Sequence, residues 1–398
     1  MYHVWRSEIS RTSCGHPWTR EACATRRTNL LLELTSSWAN AQQSGMKVLE
    51  YLKLNQATNH FLHNDSVNSN FLQFHHDITD ECCEDDKQHS WAVIERQEEI
   101  IMYGPYYPNY SSREHSEDLV ISQTQELLES ESFFEDVKVY IFTVNSPCLA
   151  RYANPCMLNL VHKALEWWNA LGVKTHIGHM KCLGFKGTRE NLFQGVNYKQ
   201  VECVNQTVDY ESYVKAAEMS TDLNLLCETV FSLLKRLLGP QQENIYFAAT
   251  MQKQDRKTYF KSMRSIFESK PAHEKKILTQ RVKALIDSAE VLLSMSTESL
   301  QEYLERGRVF TLGYTFSSQA CDAGLEDIMR LAFQQCWRDL VQDKCAEVIR
   351  EKLTEDFNHC ALQLFIKNTG NITEQFLQIG KLRGLKGSTV FEKKMKLL

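Results

Sequence analysis

The sequence predicts an α/β layered domain followed by a helix-rich carboxy-terminal segment. Three observations carry that prediction. Between residues 91 and 180, short β-forming runs alternate with amphipathic helical runs, the pattern of a sheet covered by helices. One run, VKVYIFTV at 137–144, is nearly all apolar, as a strand buried on both faces has to be. Finally, 43% hydrophobic and 24% charged residues over 398 positions supply ample core for one large domain or two ordinary ones.

In order along the chain, residues 1–88 read as an N-terminal extension, partly disordered, with short apolar runs such as VLEYLKL at 48–54. It ends in DITDECCEDD, where six carboxylates surround Cys82 and Cys83. Neighbouring thiols rarely reach one ion together, so an acidic linker is expected there. WAVIE and IIMYG form a hairpin across RQEE, and a proline- and tyrosine-rich loop, GPYYPNYSS, follows. EHSEDLVISQTQELLES is a helix whose apolar residues recur at Leu119, Val120, Leu127 and Leu128. After the strand at 137–144 comes the loop NSPCLARYANPC. The next helix, MLNLVHKALEWWNAL, carries Leu158, Val161, Leu165 and Trp168 on one stripe, with His162 a polar-face residue. VKTHIGHM is the following strand. His176 and His179 point to opposite faces of it, so they cannot share a metal.

Bulk properties exclude some classes. No apolar run approaches the roughly 20 residues of a membrane span, so no transmembrane helix is expected. A net charge of −5 argues against wholesale coating of nucleic acid, though not against a local basic groove. Thirteen cysteines, an odd number without a small-scaffold rhythm, define no complete disulfide framework. MYHVWRSEIS has no apolar leader and Glu33 interrupts LLLEL, so cytosol or nucleus is the default destination. Sequons at Asn64, Asn109, Asn205 and Asn371 keep secretion open. The oligomeric state is not legible.

The chemistry concentrates at two helix starts. In an α/β sheet, parallel strands present their carboxyl ends and the following helix N-termini along one edge. His115-Ser116-Glu117 at one start can therefore converge with Cys148 and Cys156 at the next. One imidazole and two thiolates suit a catalytic Zn²⁺ that keeps a fourth position for water. A helix N-terminus favours the thiolate form, and Pro147 and Pro155 stiffen the loop between. Glu117 is near enough to move the water's proton without ligating the metal. Of thirteen histidines only His115 has Glu two residues on, and the chain has no further Pro-Cys pair. The plainer alternative is two buried structural cysteines and a surface histidine.

His-x-Glu, then Pro-Cys and a second Cys, is the pattern of the zinc-dependent nucleobase deaminases. The chain resembles that superfamily over roughly residues 89–185, and NSPC with a tyrosine-rich loop before the histidine resembles its AID/APOBEC-like animal branch. The resemblance implies a cytidine-deaminase-like three-layer sandwich with a mixed central sheet. It implies His115, Cys148 and Cys156 as zinc ligands, Glu117 as proton shuttle, and a base pocket lined beside Ser116 and Ser146. One departure is the spacing, Cys-x₇-Cys rather than Cys-x-x-Cys. The longer loop makes Arg151 and Tyr152 candidate substrate contacts, and Tyr103, Tyr106, Tyr107 and Tyr110 are placed to stack a base. The implied reaction is hydrolytic deamination of cytosine to uracil, with single-stranded DNA or RNA, or free cytidine, as substrate. The alternative is a non-catalytic, zinc-stabilised module that binds nucleic acid or protein.

Farther along, Glu290 precedes Cys321 by the same 31 residues that separate Glu117 from Cys148. VFTLGYTFSSQAC echoes VYIFTVNSPC, which suggests a duplication offset by 173 residues, with Ser288 and Met329 in place of two ligands. The expected organisation is a catalytic domain at 89–250, a helix-rich and inactive deaminase-like domain at 251–380, and a basic tail at 381–398. A degenerate second copy requires a central strand at Val309 to Phe316.

Overall fold

The computed structural model describes residues 20–54, 61–82, 87–97, 99–109, 111–130, 136–151, 155–182, 185, 193–217, 227–239, 253–294, 300–314 and 323–384. Among them, five strands form one mixed sheet: β1 Ser90–Glu95, β2 Ile100–Tyr106, β3 Lys138–Asn145, β4 Lys174–Lys181 and β5 Leu377–Lys381. The strand order is β2-β1-β3-β4-β5. β1 is antiparallel to both β2 and β3, whereas β3, β4 and β5 run parallel. The predicted hairpin is thus β1–β2, and the apolar run at 137–144 lies mid-sheet with Val139 to Val144 all buried.

Helices α1 Arg20–Ala39, α2 Ala41–Leu54, α3 Asp65–Cys82, α4 Ser116–Glu129 and α5 Cys156–Leu171 belong mainly to this sheet's unit. Side-chain alternation divides them between its faces. Trp91, Tyr140, Phe142 and Val144 point to one face, where Phe71 and Phe74 of α3 pack on them. Gly178 makes that approach close, because a Cβ there would stand 3.0 Å from the Phe71 ring and 2.9 Å from Leu382. Ala92, Ile141 and Thr143 point to the other face, toward α4 and α5. Helix α5 buries Met157, Leu160, Val161 and Ala164 and stops at Gly172, whose φ of 71° suits the left-handed cap. Helix, sheet and helix are the three layers expected.

The described part of residues 1–88 is not an appendage. Leu31, Trp38, Val48 and Phe71 are almost fully buried, and α3 supplies one layer of the sandwich. Trp38 packs edge-on against Phe365 at 5.4 Å. His162, expected on a polar face, is half-buried with Nε2 2.9 Å from Thr35 Oγ1. The start of the expected basic tail is also structural, since Lys381 closes β5, Leu382 is in the core and Arg383 pairs with Asp65. Residues 385–398 lie outside the described residues.

Contacts divide the chain into two units, Met1–Val48, Thr58–Arg189 and Asn358–Leu398 against Leu49–Ala57 and Glu190–Phe357. Apart from residues 49–57, which precede β1, the second unit lies, along the chain, inside the crossover from β4 to β5. Its helices are α6 Tyr198–Asn205, α7 Tyr210–Ala216, α8 Cys227–Leu238, α9 Lys253–Tyr259, α10 Lys261–Ser265, α11 Ala272–Ser294, α12 Leu300–Gly313 and the first part of α13 Ala323–Thr373. Phe260, Met263, Leu285, Tyr303, Phe333 and Trp337 build one core. The expected strand at 309–316 is overturned where it is described: residues 309–313 close α12. Tyr303, Gly307 and Thr311 are buried one turn apart, a helical stripe. A Cβ at 307 would collide with the Trp337 indole, whose Nε1 donates to the Tyr303 carbonyl at 2.9 Å. That packing outweighs the β-forming composition of VFTLGYTF. The central strand that a second copy requires is thus absent at 309–313, and no strand occurs among the described residues of this unit.

Candidate metal centre

The parallel pair β3 and β4 ends at one sheet edge, and α4 and α5 start there. His115 precedes α4 in an extended conformation, φ −84° and ψ 159°, and its N–H donates to Asp118 Oδ2 at 2.9 Å. This ties the imidazole's backbone to the first helical turn. Pro155 holds φ −54° directly before Cys156, the first residue of α5. The Cys156 N–H points at Cys148 Sγ, 3.3 Å away, as an orphan donor of a helix start can.

His115 Nδ1 lies 3.8 Å from Cys148 Sγ and 3.3 Å from Cys156 Sγ, and the three donor atoms are all within 4.8 Å of one another. Ideal tetrahedral zinc would separate an imidazole nitrogen from a thiolate sulfur by about 3.6 Å and two sulfurs by about 3.8 Å. The donor set therefore fits such an ion in chemistry and in spacing. Among the described residues no other group of three His, Cys, Asp or Glu is so arranged. The thiols titrate as a pair. Their mutual hydrogen bond, helped by His115, draws Cys148 down to about 5, while the same contact and burial hold the second proton on Cys156. His115 is raised, chiefly by its hydrogen bond to Cys148.

Glu117 is 3% exposed, with burial first among the causes that raise its carboxyl above the ordinary range. Ser116 Oγ donates to its Oε2 at 3.1 Å. Thr143 Oγ1 lies 3.2 Å from Oε1 and 2.8 Å from the Asn145 carbonyl, so its one proton serves either acceptor. Gln88 Nε2 donates to Thr143 and Ser116, Gln88 Oε1 accepts the Asn145 N–H, and Ser90 Oγ is 2.7 Å from Ser116 Oγ. Sequence reasoning missed Gln88, Ser90 and Thr143. Thr143 left a signal, a hydroxyl deep in the apolar run YIFTV, but nothing local marks the other two.

The structure brings His115, Ser116, Glu117, Cys148 and Cys156 together. Ser146 is buried nearby, its N–H donating to the Lys181 carbonyl at 2.7 Å. Arg151 forms an ion pair with Asp118 at 2.7 Å. Tyr110 and Tyr152 lie outside the described residues, as does Cys83. Tyr103 is turned inward to Thr124, 2.6 Å away, whereas Tyr107 is exposed and near His89. His176 and His179 do occupy opposite faces: the first stacks on Tyr140, while the second stands beside Thr143 in register.

A mixed sheet with two helix starts converging on one imidazole, two thiolates and a buried carboxylate is the architecture of the nucleobase deaminases. Within that class, the family model described as Secreted Novel AID/APOBEC-like Deaminase 3 matches residues 7–379, and the chain belongs to that family. No curated protein and no solved structure matches it.

Proposed function

We propose that this chain is a zinc-dependent hydrolase acting on cytosine, in single-stranded nucleic acid ahead of free cytidine. The observation that carries the reading is Glu117, a buried carboxylate beside a three-donor set. Structural zinc is enclosed by four protein ligands and needs no such neighbour. His115, Cys148 and Cys156 would hold the ion, which supplies the Lewis acidity that makes water nucleophilic near neutral pH. Glu117 accepts that water's proton and passes it to the departing nitrogen. Water adds at C4 of the base, the C4–N bond breaks, and ammonia leaves. Burial raises the proton affinity of Glu117, which suits a group that must both take and return a proton. Ser116 and Thr143 orient its two oxygens. The sequence resemblance is what assigns Ser146, Tyr110 and Tyr152 to the base pocket.

The family's description as secreted supports export as the destination. Among the described residues no helix is long and apolar enough to cross a membrane. The test combines elemental analysis with incubation of the chain and of Glu117→Gln with single-stranded DNA, single-stranded RNA and cytidine. About one zinc per chain with Glu117-dependent uracil supports the enzyme and identifies its substrate. Zinc without turnover on any of them would instead favour a zinc-stabilised binding module.

A further inference from the structure

Seven residues separate Cys148 from Cys156. A loop that long does not return its second thiolate to the first by covalent geometry alone, because closure entropy grows with length. The structure anchors it twice. Leu149 and Ala150 donate their N–H groups to the Phe185 carbonyl at 3.1 and 2.6 Å. Arg151 supplies the second anchor. Its Nη1 donates to Asp118 Oδ2 at 2.7 Å and lies 3.8 Å from Cys156 Sγ, and its Nη2 donates to the Arg113 carbonyl. Asp118 Oδ2 also accepts the His115 N–H. One guanidinium thus reaches the segment before His115, the first turn after it and the Cys156 sulfur.

We propose that Arg151 is a positioning residue, tying the loop 148–156 to the start of α4 and fixing His115 relative to Cys156 for a divalent cation. This rests on the reading of His115, Cys148 and Cys156 as a metal site. Arginine suits the task because its planar fork serves acceptors in two directions, where lysine offers a single point charge. It also places a permanent positive charge beside Cys156, where two cysteine sulfurs, Glu117 and Asp118 gather. With both Nη atoms engaged inside the protein, Arg151 acts through the loop rather than as the substrate contact its position in sequence suggests.

The test uses the full chain and its Arg151→Met, Arg151→Lys and Asp118→Asn variants. Zinc affinity is measured by competition with a chromophoric chelator, and coordination geometry by the absorption of the Co²⁺-loaded protein. Arg151→Met is expected to bind zinc about 10–100-fold more weakly and to alter the Co²⁺ bands. Asp118→Asn should follow it, Arg151→Lys should recover part of the loss, and metal-free unfolding should stay as in wild type. Wild-type affinity and spectra in Arg151→Met overturn the proposal while leaving the metal site intact. Should Arg151→Met not fold, unchanged affinity in Arg151→Lys and Asp118→Asn overturns it equally. A wild-type chain that binds neither ion overturns the metal reading, and this inference with it.

Discussion

Acidification from about pH 7.5 to about pH 5 is expected to remove about 4 kcal/mol of stability through two histidines of β4. His179 is fully buried and His176 is 8% exposed. Burial is the main reason that His176 falls to about 4 and His179 to about 3, from an ordinary 6.5. Nearby positive groups add to it: His63 and Lys138 at His176, and His63, Lys381 and His359 at His179, with Glu95 opposing at His176. Both folded values lie below the unfolded one, so the unfolded chain binds more protons as pH drops. The contribution is whole above about 6.5 and is lost as pH falls toward the folded values. At pH 5 the difference amounts to about 2 kcal/mol per histidine. Urea unfolding at the two pH values, for wild type, His176→Gln and His179→Gln, measures it. Each variant should lose about 2 kcal/mol less than wild type over the interval, whatever its own starting stability. An identical pH slope in all three proteins refutes the reasoning and assigns the protons elsewhere, the paired thiols first.

Other outcomes follow from the same structure. Glu117→Gln should keep its metal and its unfolding midpoint yet lose about 10²–10⁴-fold in turnover, read by elemental analysis beside a uracil assay. Cys148→Ala should lose the metal, and wild type stripped by a chelator should melt at a lower temperature than the loaded protein, both visible by calorimetry. Gly178→Ala should cost about 1–3 kcal/mol in urea unfolding, because Phe71 and Leu382 leave no room for a Cβ. Thr143→Val should lower turnover while zinc content is unchanged, since it removes a donor from Glu117 without opening a cavity.

The site was more legible than the domain around it. His115, Glu117, Cys148 and Cys156 each sit where a strand hands over to a helix, and local patterning places such junctions well. The tyrosine loop misled in part, because Tyr103 turns inward to a Thr124 hydroxyl that no spacing rule connects to it. The echo at 309–316 misled more. Its β-branched and aromatic residues read as a strand, yet Gly307 under Trp337 holds the segment in a helix. Arg151 was visible as a residue of the site's loop, but its partner Asp118 lies across the fold, so its role was not.

By itself the sequence determined the α/β class, the apolar central strand, the amphipathic helix after it and the residues that carry the candidate chemistry. Each is set within one or two turns of chain, by hydrophobic period, proline stiffness and helix-end electrostatics. Only the tertiary structure decided that α3 is a layer of the sandwich, that β5 at Leu377–Lys381 completes the sheet, and that most of a helical unit lies within the crossover before it. It also decided which hydroxyls hold Glu117. These contacts join residues far apart in the chain, where the closure entropy is offset by burial summed over the whole unit, and no local pattern records that sum.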